Sequence, residues 1–162
     1  MRKNNKVSFI VQAAVIAALY VVFTFISAVL GMSSGIIQCR LSEAMSVLPA
    51  FLPSAIPGLF IGCFISNIIT GSVIFDVIFG SIATLIGAVV TYFIGKKSKC
   101  IPLYTVPTII SNTVIIPFVL RYAYGAEDAF WFMILTVFIG ELISAGILGS
   151  ILGFTLKKRR IF

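Results

Sequence analysis

Histidine is absent from this chain, and cysteine nearly so: Cys39, Cys63 and Cys100 stand far apart, without the paired spacings of zinc, iron–sulfur or thiol redox sites. Metal or cofactor chemistry is therefore not expected. Without histidine, no serine or cysteine nucleophile with a histidine base is possible, which speaks against the ordinary hydrolase reading. No glycine-rich loop ends in Lys-Ser or Lys-Thr, so any dependence on ATP belongs to a partner. Charge is scarce too: 10% of residues carry one, and only five of those are acidic. That is too little to solvate a water-facing surface.

What the chain has instead is apolar length. Sixty per cent of its 162 residues are hydrophobic and the mean hydropathy is +1.16, so lipid is its solvent. Residues 7–30 carry no charge at all. A signal peptide has an apolar run of only about 7 to 15 residues, so this stretch reads as a retained span. The net charge of +7 gathers at the ends of apolar stretches and not along an aromatic-studded face, which speaks for orientation and against nucleic acid. Arg2, Lys3 and Lys6 precede the first span. Lys96, Lys97 and Lys99 share one connection, and Lys157, Lys158, Arg159 and Arg160 follow the last span. Cytoplasmic segments collect such residues, so both termini are expected in the cytoplasm.

Three basic clusters on one side impose even numbers of crossings between them. Residues 41–70 would otherwise pass for one long helix, but Pro49, Pro53 and Pro57 interrupt it. A break near Pro53 yields six spans, at about 7–30, 41–53, 54–70, 72–95, 102–123 and 128–156, in a single polytopic domain. Fusing 41–70 would leave five and strand the Lys96 cluster on the wrong side. The expected fold is an all-α integral membrane protein of six transmembrane helices. Small residues recur at four-residue spacing: Gly58/Gly62 suits internal helix packing, and Ala13/Ala17 with Ala14/Ala18 suits either internal packing or a partner helix.

Charges inside apolar segments are the informative residues, because one at mid-bilayer costs roughly 2.5 to 3.5 kcal/mol even on the gentler scales. Arg40, Glu43, Asp76 and Glu141 are those charges. Gln38, Arg40 and Glu43 sit where the chain re-enters from the outer side, Asn67 is near the outer end of the third span, and Asp76 lies about one turn inside the fourth. Glu141 falls some 20 Å down the last span, at ~1.5 Å per residue, as the floor of an outward-facing pocket. Arg40 and Glu43, three apart, suit an ion pair, which would leave Asp76 and Glu141 in want of an external donor. Arg121, Glu127 and Asp128 flank the last outer turn and read as solvated. Gln38, Asn67 and Asn112 offer amides, and Tyr20, Phe75, Phe118, Tyr122 and Trp131 offer flat surfaces for a planar polar ligand.

Three segments carry a resemblance: Ile37-Gln38-Cys39-Arg40-Leu41-Ser42-Glu43-Ala44, then Ala55-Ile56-Pro57-Gly58-Leu59-Phe60-Ile61-Gly62-Cys63, then Asp76-Val77-Ile78-Phe79-Gly80-Ser81-Ile82-Ala83-Thr84. Together they resemble the QueT family of substrate-binding S components of energy-coupling factor (ECF) importers, across essentially the whole chain. The resemblance implies a six-helix S component of the cell membrane. It implies an extracellularly captured 7-deazaguanine, such as an aminomethyl or cyano queuosine precursor or queuine. It implies as partners a transmembrane coupling subunit, met by Ala13, Ala14, Ala17 and Ala18 of the first helix, and two cytoplasmic ATPases. The alternatives are an S component for another flat vitamin such as riboflavin, a secondary carrier, or a structural membrane protein.

Overall fold

In lipid, a backbone amide finds no water and must pair within its own segment, so long apolar runs become helices. The computed structural model describes residues 2–32 and 39–159, with backbone alone for residues 2–5. Among the described residues every regular element is helical. The order is α1 (Arg2–Val29), a 3-10 helix (Leu41–Ala50), α2 (Ala55–Ile69), α3 (Ile74–Lys97), a short 3-10 turn (Ile101–Tyr104) leading into α4 (Val106–Tyr122), then α5 (Phe130–Glu141), a π-helical segment (Leu142–Leu148) and α6 (Gly149–Lys158). The last three run on as one rod, Phe130–Lys158. This makes six rods. Four are long and apolar enough to cross a membrane, and α2 is a shorter apolar helix.

The second rod is unusual. A 3-10 helix rises about 2.0 Å per residue against 1.5 Å for an α-helix, so ten residues reach about 20 Å where an α-helix would reach about 15 Å. The chain then breaks at 51–54, around Pro53, before α2 begins. This rod is central. Ser42, Glu43, Met45, Ser46, Val47, Leu48 and Pro49 are all buried, and α1, α2, α3, the π segment and α6 all pack on it. With three residues per turn, Glu43, Ser46 and Pro49 fall in one row.

Helix packing follows the small residues. A Cβ on Gly58 would lie 2.8 Å from the Ala13 carbonyl oxygen, and one on Gly62 would lie 2.8 Å from the Tyr20 Cβ and 3.1 Å from the Ala17 Cα. So α1 and α2 touch backbone to backbone through Ala13, Ala17, Gly58 and Gly62. A Cβ on Gly87 would lie 2.9 Å from the Thr108 Cα, which seats α3 on α4 equally closely. Gly62→Val is expected to cost about 1 to 3 kcal/mol by overpacking. It should lower the thermal midpoint in detergent, whereas Gly146→Ala, which meets the flexible ends of Leu142 and Ile109 at 3.3 and 3.5 Å, should leave it nearly unchanged.

The two ends of the bundle differ chemically. At one end the Ser54 hydroxyl donates to Gln12 Oε1 at 2.9 Å, Gly95 abuts Ala50, and Lys157 Nζ donates to the Lys99 carbonyl at 3.2 Å. That end gathers the basic connection and the basic C-terminal turn. At the other end lie Arg40, Asp76 and the turn after α4. The outside is apolar: Ile10, Val22 and Val29 on α1, Phe93 on α3, Val114 on α4 and Ile151 on α6 are all exposed.

Candidate functional site

Local geometry brings the polar residues to the Arg40 end. Gly71, at φ +74°, closes α2 with a left-handed turn, and the Ser72 and Gly71 amides return to the Asn67 and Ile68 carbonyls at 2.9 and 3.1 Å. That reversal leaves Asn67 at the last turn of α2 facing the first turn of α3. Asp76 is there, where a carboxylate favours the positive end of the helix dipole. Asn67 Nδ2 donates to the Asp76 carbonyl at 3.2 Å, locking the two helices together. Meanwhile α1 seats the start of the 3-10 helix: the Leu41 amide donates to Ser27 Oγ at 2.9 Å, and Thr24 Oγ1 donates to Ser42 Oγ at 2.8 Å.

Arg40 reaches across this junction. Its Nη1 donates to Asn67 Oδ1 at 3.3 Å, and its Nη2 lies 3.5 Å from Asp76 Oδ2. Tyr124, from the turn after α4, donates to the same Asp76 oxygen at 3.2 Å. The expected Arg40–Glu43 pair is therefore corrected: the ion pair joins Arg40 to Asp76. A pair three apart needs both residues on a helix, but Arg40 has extended backbone (φ −103°, ψ 113°) just ahead of the 3-10 helix. Glu43 turns instead toward α1, where its Oε1 accepts the Tyr20 hydroxyl. Tyr20 is only 1% exposed, so it serves as a hydrogen-bond donor to the site and not as a stacking surface.

Glu141 completes the floor. It is the last residue of α5, directly before the π segment. A π turn inserts a residue into the helical register, which is one way a helix aims a single side chain inward. Asn112 Nδ2 donates to Glu141 Oε1 at 2.8 Å. Arg40, Glu43, Cys63, Gly80, Thr84, Asn112 and Glu141 line one small internal cavity, closed at its apolar wall by Ile116 and Val137. Its volume is about 30 Å³, room for roughly two waters, so the arrangement is a closed one. Gly80, in its wall, leaves room for the neighbouring polar side chains: a Cβ there would lie 3.1 Å from Asp76 Oδ1 and 3.2 Å from Asn67 Nδ2.

The electrostatics of this cavity are lopsided. Glu43 and Glu141 in its lining, and Asp76 just beyond it, share a single guanidinium, for a formal balance of −2 with every group ionised. Glu43 Oε2, Asp76 Oδ1 and Glu141 Oε2 are buried with no hydrogen-bond partner among the described residues. Leaving such oxygens unpaired is costly, so the arrangement suits a ligand rich in donors or positive charge. Cys39, just ahead of the 3-10 helix, is buried close to Glu141 and Ser144. That burial, and then the charge of Glu141, raises its thiol pKa, with Ser144 pulling the other way.

Of the residues singled out in the sequence, Arg40, Glu43, Asn67, Asp76 and Glu141 come together, while Gln38 lies outside the described residues. The rest of the aromatic set stays out of this polar cavity; Phe75, Phe118 and Tyr122 line a separate, apolar groove of about 450 Å³. Tyr122 and Trp131 are 81% and 68% exposed, and Phe75 and Phe118 are also exposed, because a membrane protein puts aromatics on its apolar outside. The alanine face divides. Ala17 is 8% exposed against α2 and Ala13 is half-buried there, whereas Ala14 and Ala18 face outward. Arg121 closes the turn after α4 through the Ala126 and Asp128 carbonyls at 2.9 and 3.4 Å. Tyr124 carried no signal in the sequence, and Gly80 carried one only through its place one turn after Asp76.

A family model described as "QueT transporter" matches residues 10–158, nearly the whole chain. No curated protein matches, and no solved structure does.

Proposed function

Because the chain belongs to the QueT transporter family, we propose that it is the substrate-capture S component of an ECF importer, and that the cavity between Arg40, Glu43 and Glu141 binds a queuosine precursor. In this reading the six rods cross the cell membrane with both termini in the cytoplasm, and the Arg40 end faces out. The carrying observation is the set of buried carboxylate oxygens without partners, on Glu43, Asp76 and Glu141.

A 7-deazaguanine answers that set. Its guanine-like edge presents a ring N–H and an exocyclic amine side by side, a pair one carboxylate accepts together, and its carbonyl needs a donor such as Arg40 or Asn67. An aminomethyl substituent is a cation and takes a second carboxylate. Two ligand-facing carboxylates beyond the one held by Arg40 therefore match a cationic deazaguanine better than an uncharged flat vitamin. The closed cavity must widen to admit a bicyclic base, so binding moves the walls around Arg40 and Glu141. Transport draws ATP hydrolysis from two cytoplasmic partner subunits through a coupling subunit docked on the Ala14/Ala18 face of α1.

Calorimetry of the purified protein against aminomethyl and cyano deazaguanines and queuine, with riboflavin, thiamine and biotin as controls, tests the assignment. Binding confined to the deazaguanines is the expected result. Binding of riboflavin alone would reassign the substrate, and heat from none of them would remove the capture role.

A further inference from the structure

We propose that the seam between α3 and α4 is a binding site for an anionic phospholipid, whose acyl chain lies in an apolar groove and whose headgroup phosphate rests on Lys97 and Lys99. The proposal is independent of which substrate the polar cavity takes. A cavity of about 400 Å³ on the α3–α4 face is lined by Ile86, Val90 and Ile94 on one side and by Val106, Ile110 and Val114 on the other. It is open to the apolar exterior and holds none of the charged residues of the substrate site. From Ile86 to Ile94 it runs about 12 Å at 1.5 Å per residue, close to the ~15 Å depth of one leaflet.

The groove ends in charge of one sign. Lys97 follows Ile86 by eleven residues, three helical turns to within about 20°, so it continues the Ile86–Val90–Ile94 stripe out of the groove. Lys97 and Lys99 are exposed, and the Lys157 contact to the Lys99 carbonyl brings the C-terminal basic turn beside them. Lys96, Lys97, Lys99, Lys157, Lys158 and Arg159 thus cluster with no acidic side chain near among the described residues. The chain has five acidic residues, of which Glu43 and Glu141 line the polar cavity, Asp76 pairs with Arg40 beside it, and Glu127 and Asp128 lie in the turn at the far end of α4. An apolar channel one leaflet deep under an uncompensated basic mouth complements an anionic lipid. A second copy of the chain does not suit this seam, because in one membrane orientation it would bring two such basic clusters together.

Native mass spectrometry of the purified protein from nanodiscs of mixed phosphatidylglycerol and phosphatidylcholine, with identical acyl chains, tests this. The parent should retain the anionic lipid at least tenfold over the zwitterionic one. A Lys97→Gln/Lys99→Gln variant should lose that preference, because two basic residues at about 1 kcal/mol each contribute up to about thirtyfold at an anionic surface. Ile110→Trp, or Val90→Trp if the first is poorly folded, should fill the groove and cut retention of the anionic lipid at least fivefold while the basic residues stay in place. Equal retention of the two lipids, an unchanged preference in the lysine variant, full retention with the groove filled, or a dimer dissolved by Ile110→Trp would each overturn the proposal.

Discussion

Ala14→Trp and Ala18→Trp are each expected to abolish ATP-driven uptake and co-purification with a coupling subunit, while leaving ligand affinity within about twofold of the parent. Both alanines face outward on α1, the most peripheral of the long helices, with 28% of its span buried against 39 to 44% for the other three. A ladder of small residues lets a partner helix approach to backbone contact, and an indole ring holds it away. Ala17→Trp is the contrasting variant. Its position is 8% exposed against Gly62 of α2, so a large ring there should unseat α1, and with it the Tyr20 hydroxyl that reaches Glu43, costing both stability and binding. Uptake by the Ala14→Trp protein at the parent's rate would move the docking face elsewhere. Loss of ligand binding in that variant would mean that the outward face is buried in the working state.

The reading of α1 shows what was legible in advance. Spacing alone revealed two small-residue rows, Ala13/Ala17 and Ala14/Ala18, one helical position apart. Which row met α2 depended on where Gly58 and Gly62 came to rest, a tertiary fact without a local signal. The break near Pro53 was legible because proline acts on its own backbone. The 3-10 geometry of Leu41–Ala50 was not, since hydrophobicity reports burial and this rod is buried on nearly every side.

The site was legible by residue and illegible by pairing. Arg40, Glu43, Asp76 and Glu141 stood out because charge in an apolar segment is costly. Their partners turned on backbone conformation, which extended Arg40 toward Asp76 and turned Glu43 toward Tyr20. The π segment after Glu141 left no mark in composition. Aromatic content did not locate the polar cavity, for a physical reason: in lipid, an aromatic ring gains as much from facing outward as from lining a pocket, so abundance carries no direction.

The substitutions Glu43→Gln and Glu141→Gln carry the largest expected effect on binding. Each carboxylate spends one oxygen on a protein donor, Tyr20 or Asn112, and keeps the other buried and unpartnered among the described residues. An amide retains the shape but loses the charge and turns one acceptor into a donor. Truncating one side of a buried charged hydrogen bond costs roughly 2 to 5 kcal/mol, which is about thirtyfold or more in affinity. Exposed Glu127→Gln should change nothing. The decisive measurement is calorimetric titration of 7-aminomethyl-7-deazaguanine into the parent, Glu43→Gln, Glu141→Gln and Glu127→Gln proteins, each first shown monodisperse in detergent. Weakening of at least thirtyfold in the two cavity variants, with parent affinity in Glu127→Gln, is the predicted result; parent affinity in both cavity variants would contradict the placement of the ligand between Arg40, Glu43 and Glu141.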